Sequence, residues 1–343
     1  MIDPLDALEF SCVGTKVMRW ESNVGMREQW EYRSYVSMDF KDCSTNESHL
    51  VKPNRSVLAK NFTPKGRLLG GVVVPLPTPV MKEGGDVDFD GVVRLAQWIV
   101  SKGVQGIFVG GTTSRFSHFT PEQNADVCRA VVDAVGDQVT IYGGICDSGV
   151  KRMLSNAEKM KRAGAEVAVT TGPYYLSRLI EEAEADLLEV ACESPLPVIY
   201  YDIPEFVGYG LRPEWLGEIA GNSNVVGYKD SSDNFEHHLA ILERTRGKDF
   251  SVFIGKELLL SQALQSGSHG IIVSLIFAEP EPFVSLVRNA ALGNRSAVLQ
   301  NQSQVAGIVE DFGAYFRKRP VFSTLLRYLE AKLRQQGVNV TLC

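Results

Sequence analysis

The chain has no CxxC pair. Its six cysteines, Cys12, Cys43, Cys128, Cys146, Cys192 and Cys343, are scattered through 343 residues. A domain of this size does not depend on a disulfide framework, and several of these cysteines lie in apolar patterns where a reduced thiol behaves as a small hydrophobe. A reducing, cytoplasmic location is therefore expected. No uninterrupted apolar run is long enough to cross a bilayer, and the start, MIDPLDALEF, lacks the basic residues and apolar block of a secretory leader. Basic charge is not in excess: 35 Lys and Arg stand against 41 Asp and Glu, for a net charge of -6. With no basic patch interleaved with aromatics, neither a nucleic-acid nor a membrane partner is expected. HExxH, GxSxG and carboxylate clusters with metal spacing are also missing, so no metal or other cofactor is called for. Histidine is scarce. His118 and His269 are isolated, and His237 and His238 fall on a helix where solvated histidines are common, so catalysis is not assigned to them.

What is present is a large apolar content, 44% of residues, ample for a sizeable core. Residues 1–65 show no sustained period of two or 3.6. They read as an extension, poorly ordered or draped on the surface, or as the product of a start codon assigned too far upstream. From Leu68 a rhythm begins. LLGGVVVPL, GIFVGG, VTIYGG, EVAVTT, LPVIYYDI, VVGYKD, FSVFIG and GIIVSL read as strands. Each is followed by a segment with helical spacing, and Thr120 with Pro121 opens one of these as cap and first residue. The strands are continuously apolar, as in a parallel sheet covered by helices. Eight strand–helix units over roughly 225 residues fit an α/β fold of the (β/α)8, or TIM, barrel type, whose usual size is about 250 residues. An open doubly wound sheet fits less well, because its first turn would be glycine-rich where this chain has PLPTP. The expected organisation is an extension over 1–65, a barrel over 66–292 and a helical C-terminal region over 293–343.

Barrels of this type carry their chemistry at the C-terminal ends of the strands. The residues there are Thr78 and Pro79, then Gly110, Gly111, Thr112 and Thr113, then Pro173, Tyr174 and Tyr175, then Tyr200, Tyr201 and Asp202, and finally Lys229. A lysine ending the apolar run VVGYKDSS is unusual, since lysine is rarely buried. Burial would depress its pKa and leave a neutral amine able to attack a carbonyl. A strand-end tyrosine can relay the protons that a Schiff base needs. Tyr200 and Tyr201 adjoin on one strand and point to opposite faces, so only one can face the interior, and the residue pattern does not say which. Thr112 and Thr113 follow paired glycines, where exposed N–H groups and two hydroxyls suit a carboxylate.

GVVVPLPTP, GIFVGGTTS, TTGPYY, VIYYDIP and VVGYKDSS, taken together and in this order, resemble the dihydrodipicolinate synthase/N-acetylneuraminate lyase superfamily of class I aldolases. The resemblance runs from about Leu68 to Ala290. It implies a lyase that forms a Schiff base between Lys229 and pyruvate or another 2-oxo acid and cleaves or condenses a carbon–carbon bond, or dehydrates a 2-oxo sugar acid, with Tyr201 rather than Tyr200 as the proton relay. Thr112, Thr113 and Gly111 would hold the carboxylate, and Ile272 on the eighth strand would line the substrate. Tyr175 would be lent across a subunit interface to a neighbour's relay, in a homo-oligomer that is a dimer or tetramer.

Departures from the family pattern fall on the half of the site that chooses the second substrate. The family's GTTGE reads GTTSRF, placing Ser114 and Arg115 where glycine and glutamate are usual. Phe206 stands where dihydrodipicolinate synthases carry an arginine for the aldehyde substrate's carboxylate. Glu257 answers to one acid of the lyase's sugar-binding pair, and Leu258 replaces the other. The expected partners are a 2-oxo acid with an aldehyde or sugar acid, with Phe206, Arg115 and Glu257 as specificity positions. Two alternatives stay open: a true 4-hydroxy-tetrahydrodipicolinate synthase, and a barrel that binds 2-oxo acids without turning them over.

Overall fold

The structure is a computed structural model and describes residues 69–221, 224–319 and 321–343. The extension expected over 1–65 lies outside these residues. The rhythm read from Leu68 closes on itself: eight parallel strands form a barrel in sequence order, with the last pairing the first. They are β1 (Gly71–Pro75), β2 (Gly106–Val109), β3 (Thr140–Gly144), β4 (Val167–Thr170), β5 (Val198–Asp202), β6 (Val225–Asp230), β7 (Ser251–Ile254) and β8 (Gly270–Ile272). Every residue of these strands is buried, because one face meets the surrounding helices and the other fills the barrel. Closure leaves no free sheet edge and excludes the open doubly wound alternative.

The helices begin where local chemistry provides a cap. α1 (Phe89–Val100) starts at Asp88, whose carboxylate accepts the Gly91 N–H. α2 (Pro121–Val135) opens on the expected Thr120 and Pro121, with Gln123 returning a bond to the Thr120 N–H as a capping box. α3 (Val150–Ala163) and α4 (Ile180–Glu193) follow β3 and β4. A one-turn helix, Pro204–Val207, precedes α5 (Pro213–Ile219). α6 (Phe235–Arg244) is capped by Asn234. The segment after β7 opens as a 3-10 turn (Glu257–Leu259) and becomes α-helical at α7 (Leu260–Ser266). α8 (Pro280–Ala291) opens on proline, which costs no hydrogen bond at the first position.

Beyond the barrel lie α9 (Arg295–Phe316) and α10 (Phe322–Gln335). The Gln302 side chain of α9 donates to Glu257 O (3.0 Å) and accepts the Ser261 N–H (2.8 Å), so this helix fixes the turn after β7. Gln336 donates to Ala278 O (2.9 Å), and the last residues return to the β1 side, where Val80 N–H donates to Thr341 O (2.8 Å). These helices brace the same end of the barrel that carries the strand C-termini.

One irregularity decides which side chains enter the barrel. Between β5 and β6 the register runs Val198 to Val225 and then Ile199 to Gly227, leaving Val226 as an extra residue. Val225 faces the helices and Val226 the interior. The bulge lets Gly227 share that inner side, after which ordinary alternation sends Tyr228 outward and Lys229 inward. Without the extra residue, Lys229 would lie among the helices.

Candidate active site

Lys229 enters the top of the barrel interior and is only 5% exposed. Its register partner is Tyr201 on β5, and its Nζ lies 3.7 Å from the centroid of that ring and 5.7 Å from the ring of Phe108 on β2. Among aromatic rings the ammonium is poorly solvated, and burial lowers the Lys229 pKa to about 7. The two neighbours that act against this fall, Cys146 and Glu257, do not offset it. Gly255 at the end of β7 makes the space: a Cβ there would stand 2.3 Å from Ser231 Oγ and 3.1 Å from Lys229 Cε.

The tyrosine pair separates as one strand requires. Tyr200 faces outward, donating to Leu187 O (2.8 Å) and stacking on Trp215. Tyr201 faces inward, with the hydroxyls of Thr112 and Ser231 near its phenol. Burial pushes the phenol up to about 12, so it stays protonated at neutral pH and has two hydroxyls with which to exchange a proton.

The loop after β2 is built from glycine and hydroxyls. Gly110 has φ +73°, and a Cβ on Gly111 would stand 2.6 Å from the Phe108 ring. Thr113 Oγ1 lies 2.6 Å from Ser274 Oγ, beyond β8. Ser114, where the family pattern has glycine, is a staple: its hydroxyl donates to Leu76 O (2.6 Å) and accepts the Gly111 N–H. Among the described residues, the N–H groups of Thr112 and Thr113 have no backbone partner, which leaves two donors beside Lys229 for an anion. Ile272, paired with Val73, belongs to the apolar interior. Glu257 adds a half-buried carboxylate whose Oε1 accepts the Leu275 N–H (3.4 Å). Burial pushes this carboxyl up, against the pull of Lys256 and Lys229.

Three of the expected positions stand apart from this cluster. Tyr175 is 92% exposed with φ +83°, a backbone region that tyrosine rarely adopts. Phe206 is 54% exposed on the one-turn helix, while its neighbour Val207 packs on the interior. Arg115, at φ +56°, turns its guanidinium to Thr78 O (3.5 Å) and over the Phe119 ring.

Several residues of the site were not singled out from the sequence. Ser231 carries a signal in retrospect, since it lies two residues from Lys229 and so on the same face. Ser274 carries none, because its partner Thr113 is 161 positions away. Cys146 is buried just past β3, with its Sγ 3.8 Å from Val169 O. The solvated reading of the histidine pair is corrected by the structure. His238 is 0% exposed, with Nδ1 2.8 Å from Asp230 Oδ2 and Nε2 2.6 Å from Ser268 Oγ. His237 is half-buried against Tyr228 OH (3.3 Å) and Asp202 (3.6 Å). The reason lies in the bulge. Turning Lys229 inward turns Tyr228 and Asp230 outward, into the layer between sheet and helices, where buried polar groups need partners.

Among the described residues, no group of three His, Cys, Asp or Glu is placed to hold a metal, and no helix is long and apolar enough to cross a membrane. The sequence matches the dihydrodipicolinate synthetase family over residues 68–342. A 4-hydroxy-tetrahydrodipicolinate synthase of Acidothermus cellulolyticus is 31% identical over 61% of this chain and 65% of its own length. The fold superposes on YagE, a prophage protein of the dihydrodipicolinic acid synthase family from E. coli K12 solved in complex with pyruvate. The TM-score is 0.73 at 22% identity, covering 80% of this chain and 90% of that one. A 2-keto 3-deoxygluconate aldolase from Picrophilus torridus matches with a TM-score of 0.71 at 24% identity, covering 80% and 96%. The chain belongs to the dihydrodipicolinate synthetase family and is an enzyme of the carbon–carbon lyase type.

Proposed function

We propose that this chain is a class I aldolase that forms a Schiff base between Lys229 and pyruvate or a related 2-oxo acid and then makes or breaks a carbon–carbon bond. The observation that carries the reading is a lysine buried among aromatic rings with its pKa lowered to about 7, in register with a buried phenol. The neutral amine attacks the ketone carbon. The ketone oxygen leaves as water, taking one proton from the amine and one through Tyr201, and an iminium remains. Loss of a proton from C3 gives the enamine, whose C3 attacks an aldehyde carbon, and the aldehyde oxygen takes up a proton to become a hydroxyl. Water then hydrolyses the iminium and frees Lys229. The reverse sequence cleaves a 4-hydroxy-2-oxo acid. Thr112 and Thr113 hold the carboxylate, and no cofactor takes part.

Borohydride trapping tests this. Protein mixed with pyruvate, reduced and digested should carry the added mass on the peptide containing Lys229. A folded protein with no adduct there, under conditions that label a known class I aldolase, would overturn the reading.

The name carried by the relative, 4-hydroxy-tetrahydrodipicolinate synthase, supports a second reading as that enzyme. Phe206 argues against it, since an apolar ring cannot form the bidentate pair with which arginine holds a carboxylate. The proposal includes a second copy of the chain. Tyr175, Leu176 and Leu179 are 92%, 68% and 65% exposed within five residues, which suits a subunit contact that presents Tyr175 to a neighbour's site. Sedimentation of the wild-type chain and of Y175A should show a homo-oligomer weakened by the substitution. A monomeric wild type would remove this part of the proposal.

A further inference from the structure

The inward turn of Lys229 depends on one extra residue in β6, and the apolar residues of that strand do not ask for it. Val225 and Val226 suit either face, and Gly227 has no side chain to place. Pairing without the bulge would put Tyr228 and Asp230 inside the barrel and Lys229 among the helices, because a one-residue slip exchanges the faces of a strand. Where the apolar pattern leaves a register open, polar contacts have to settle it.

Those contacts lie on the outer side of β6. Asp230 and His238, in the first turn of α6, are both fully buried, with Nδ1 2.8 Å from Oδ2. An ionised carboxylate only accepts, so Nδ1 carries the proton of that bond. Nε2 stands 2.6 Å from Oγ of Ser268, in the turn that leads into β8, and the ring is stacked on Phe235. The other carboxylate oxygen, Oδ1, accepts the Ser232 N–H (2.8 Å). Burial pushes the Asp230 carboxyl up, but His238 and the Ser232 N–H hold it below the ordinary carboxylate range. A charge is thus kept in a place that water does not reach.

Separating such a pair is costly, because the charge that stays behind has neither water nor a counterpart. The pair is made in the bulged register and broken in the slipped one, where Asp230 would leave His238 and enter the pocket. Tyr228 shares the outer side, with its phenol 2.7 Å from Asp202 Oδ2, but an unpaired phenol costs far less than an unpaired buried carboxylate. The same strand end is held in its ladder. Ser231 N–H donates to Asp202 O (2.9 Å), and Gly255 N–H donates to Asp230 O (2.7 Å). Gly255 is also the residue that leaves room for Lys229 Cε. One short stretch of backbone therefore sets the Asp230 side chain outward and the Lys229 side chain inward.

We infer that His238 is a positioning residue: its bond to Asp230, on the far side of β6, locks the strand in the bulged register and so turns Lys229 into the pocket. This rests on the Schiff-base reading above. The test uses the full chain as wild type, H238N and H238Q. Asparagine places its amide where Nδ1 stands and keeps the bond to Asp230. Glutamine reaches the place of Nε2 and keeps only the bond to Ser268. Each is assayed for its urea midpoint, for the second-order rate of pyruvate trapping on Lys229, and for the pH at which that rate levels. H238N should trap at nearly the wild-type rate. H238Q should lose about tenfold, the scale of leaving a buried group unpaired. The pH at which the rate levels should not move, since molecules in the bulged register keep the same pocket. A role in filling space predicts the opposite order, because glutamine replaces more of the ring than asparagine. That order, an equal loss in both or no loss in H238Q overturns the lock. A moved pH also overturns it, since the pair would then act on the charge of the amine and not on its facing. If either variant does not fold, D230N and D230A put the same question from β6. D230N keeps the bridge by a change of tautomer and should trap like wild type, D230A should lose about tenfold, and equal trapping in the two overturns the lock. A wild type that forms no adduct overturns the Schiff base as well, whereas every other failure leaves it standing.

Discussion

Two regions meet at the barrel mouth and differ in almost every physical respect. The pocket around Lys229 is buried, lined by rings and hydroxyls, and held by eight paired strands. The rim that carries Tyr175, Phe206 and Leu258 is exposed and set on loops. A depressed amine pKa is available only in the first, where the ammonium is poorly solvated. Substrate choice can be changed in the second with little effect on folding, because surface side chains carry little of the core's stability. The family resemblance is strongest in the pocket, which keeps the 2-oxo-acid residues, while Phe206 and Leu258 on the rim depart from it.

The sharpest way to break this comparison is to remove the amine. Lys229→Met should abolish pyruvate trapping and all turnover, because it removes the amine that the proposed Schiff base needs. It should also stabilise the fold. The folded pKa of Lys229 is depressed to about 7 from an ordinary 10.5, so the folded state binds fewer protons than the unfolded state between those values. Stability linked to this group is present above the unfolded value and is lost as pH falls through about 7. At neutral pH the variant should gain on the order of 2–4 kcal/mol, read as a higher midpoint in urea. A variant that is inactive but less stable would mean the lysine is a structural member of the core.

Tyr201→Phe comes next. The ring still packs against Lys229, but the proton path through Thr112 and Ser231 is cut. Turnover should fall about 10²- to 10⁴-fold, the usual worth of general acid–base catalysis. Trapping should slow without disappearing, and stability should change little. A full rate in this variant would move the relay to another residue.

The strand order, the barrel and most helix starts were legible because they rest on local signals. Continuous apolar runs mark parallel strands, and Thr120 with Gln123 or Asp88 before α1 mark helix starts within a few residues. The pocket was legible only in part. Lys229, Thr112 and Thr113 stand at strand ends, which the order of elements exposes directly. Ser274 enters the site only through closure of the barrel, since its partner Thr113 is 161 positions away. His238 was misread because its burial follows from the bulge at Val226, and nothing in the run VVGYKD marks an extra residue. Single-strand periodicity cannot report a register that two strands settle between them.

A third prediction sharpens the comparison through pH. The rate of adduct formation with pyruvate should rise about tenfold per unit up to about pH 7 and then level, as the ammonium gives way to the amine. Stopped-flow or quench trapping across pH 5–9 would show this limb. A limb centred near 10 would mean that the pocket is open to water and that the contrast with the rim is false.

The smallest expected effect is on the rim itself. Phe206→Arg introduces a guanidinium on an exposed one-turn helix, so little packing is lost and the urea midpoint should stay within about 0.5 kcal/mol. The pyruvate limb near pH 7 should also be unmoved, because an exposed charge is screened from a buried amine. What should change is the partner: aldehydes carrying a carboxylate should gain about tenfold in kcat/KM relative to neutral ones, the scale of one partly exposed charge-assisted pair. If the preference does not move, the aldehyde does not pass Phe206. If the preference moves together with the pH limb, rim and pocket are electrically one site, and dividing them by burial is the wrong description of this barrel.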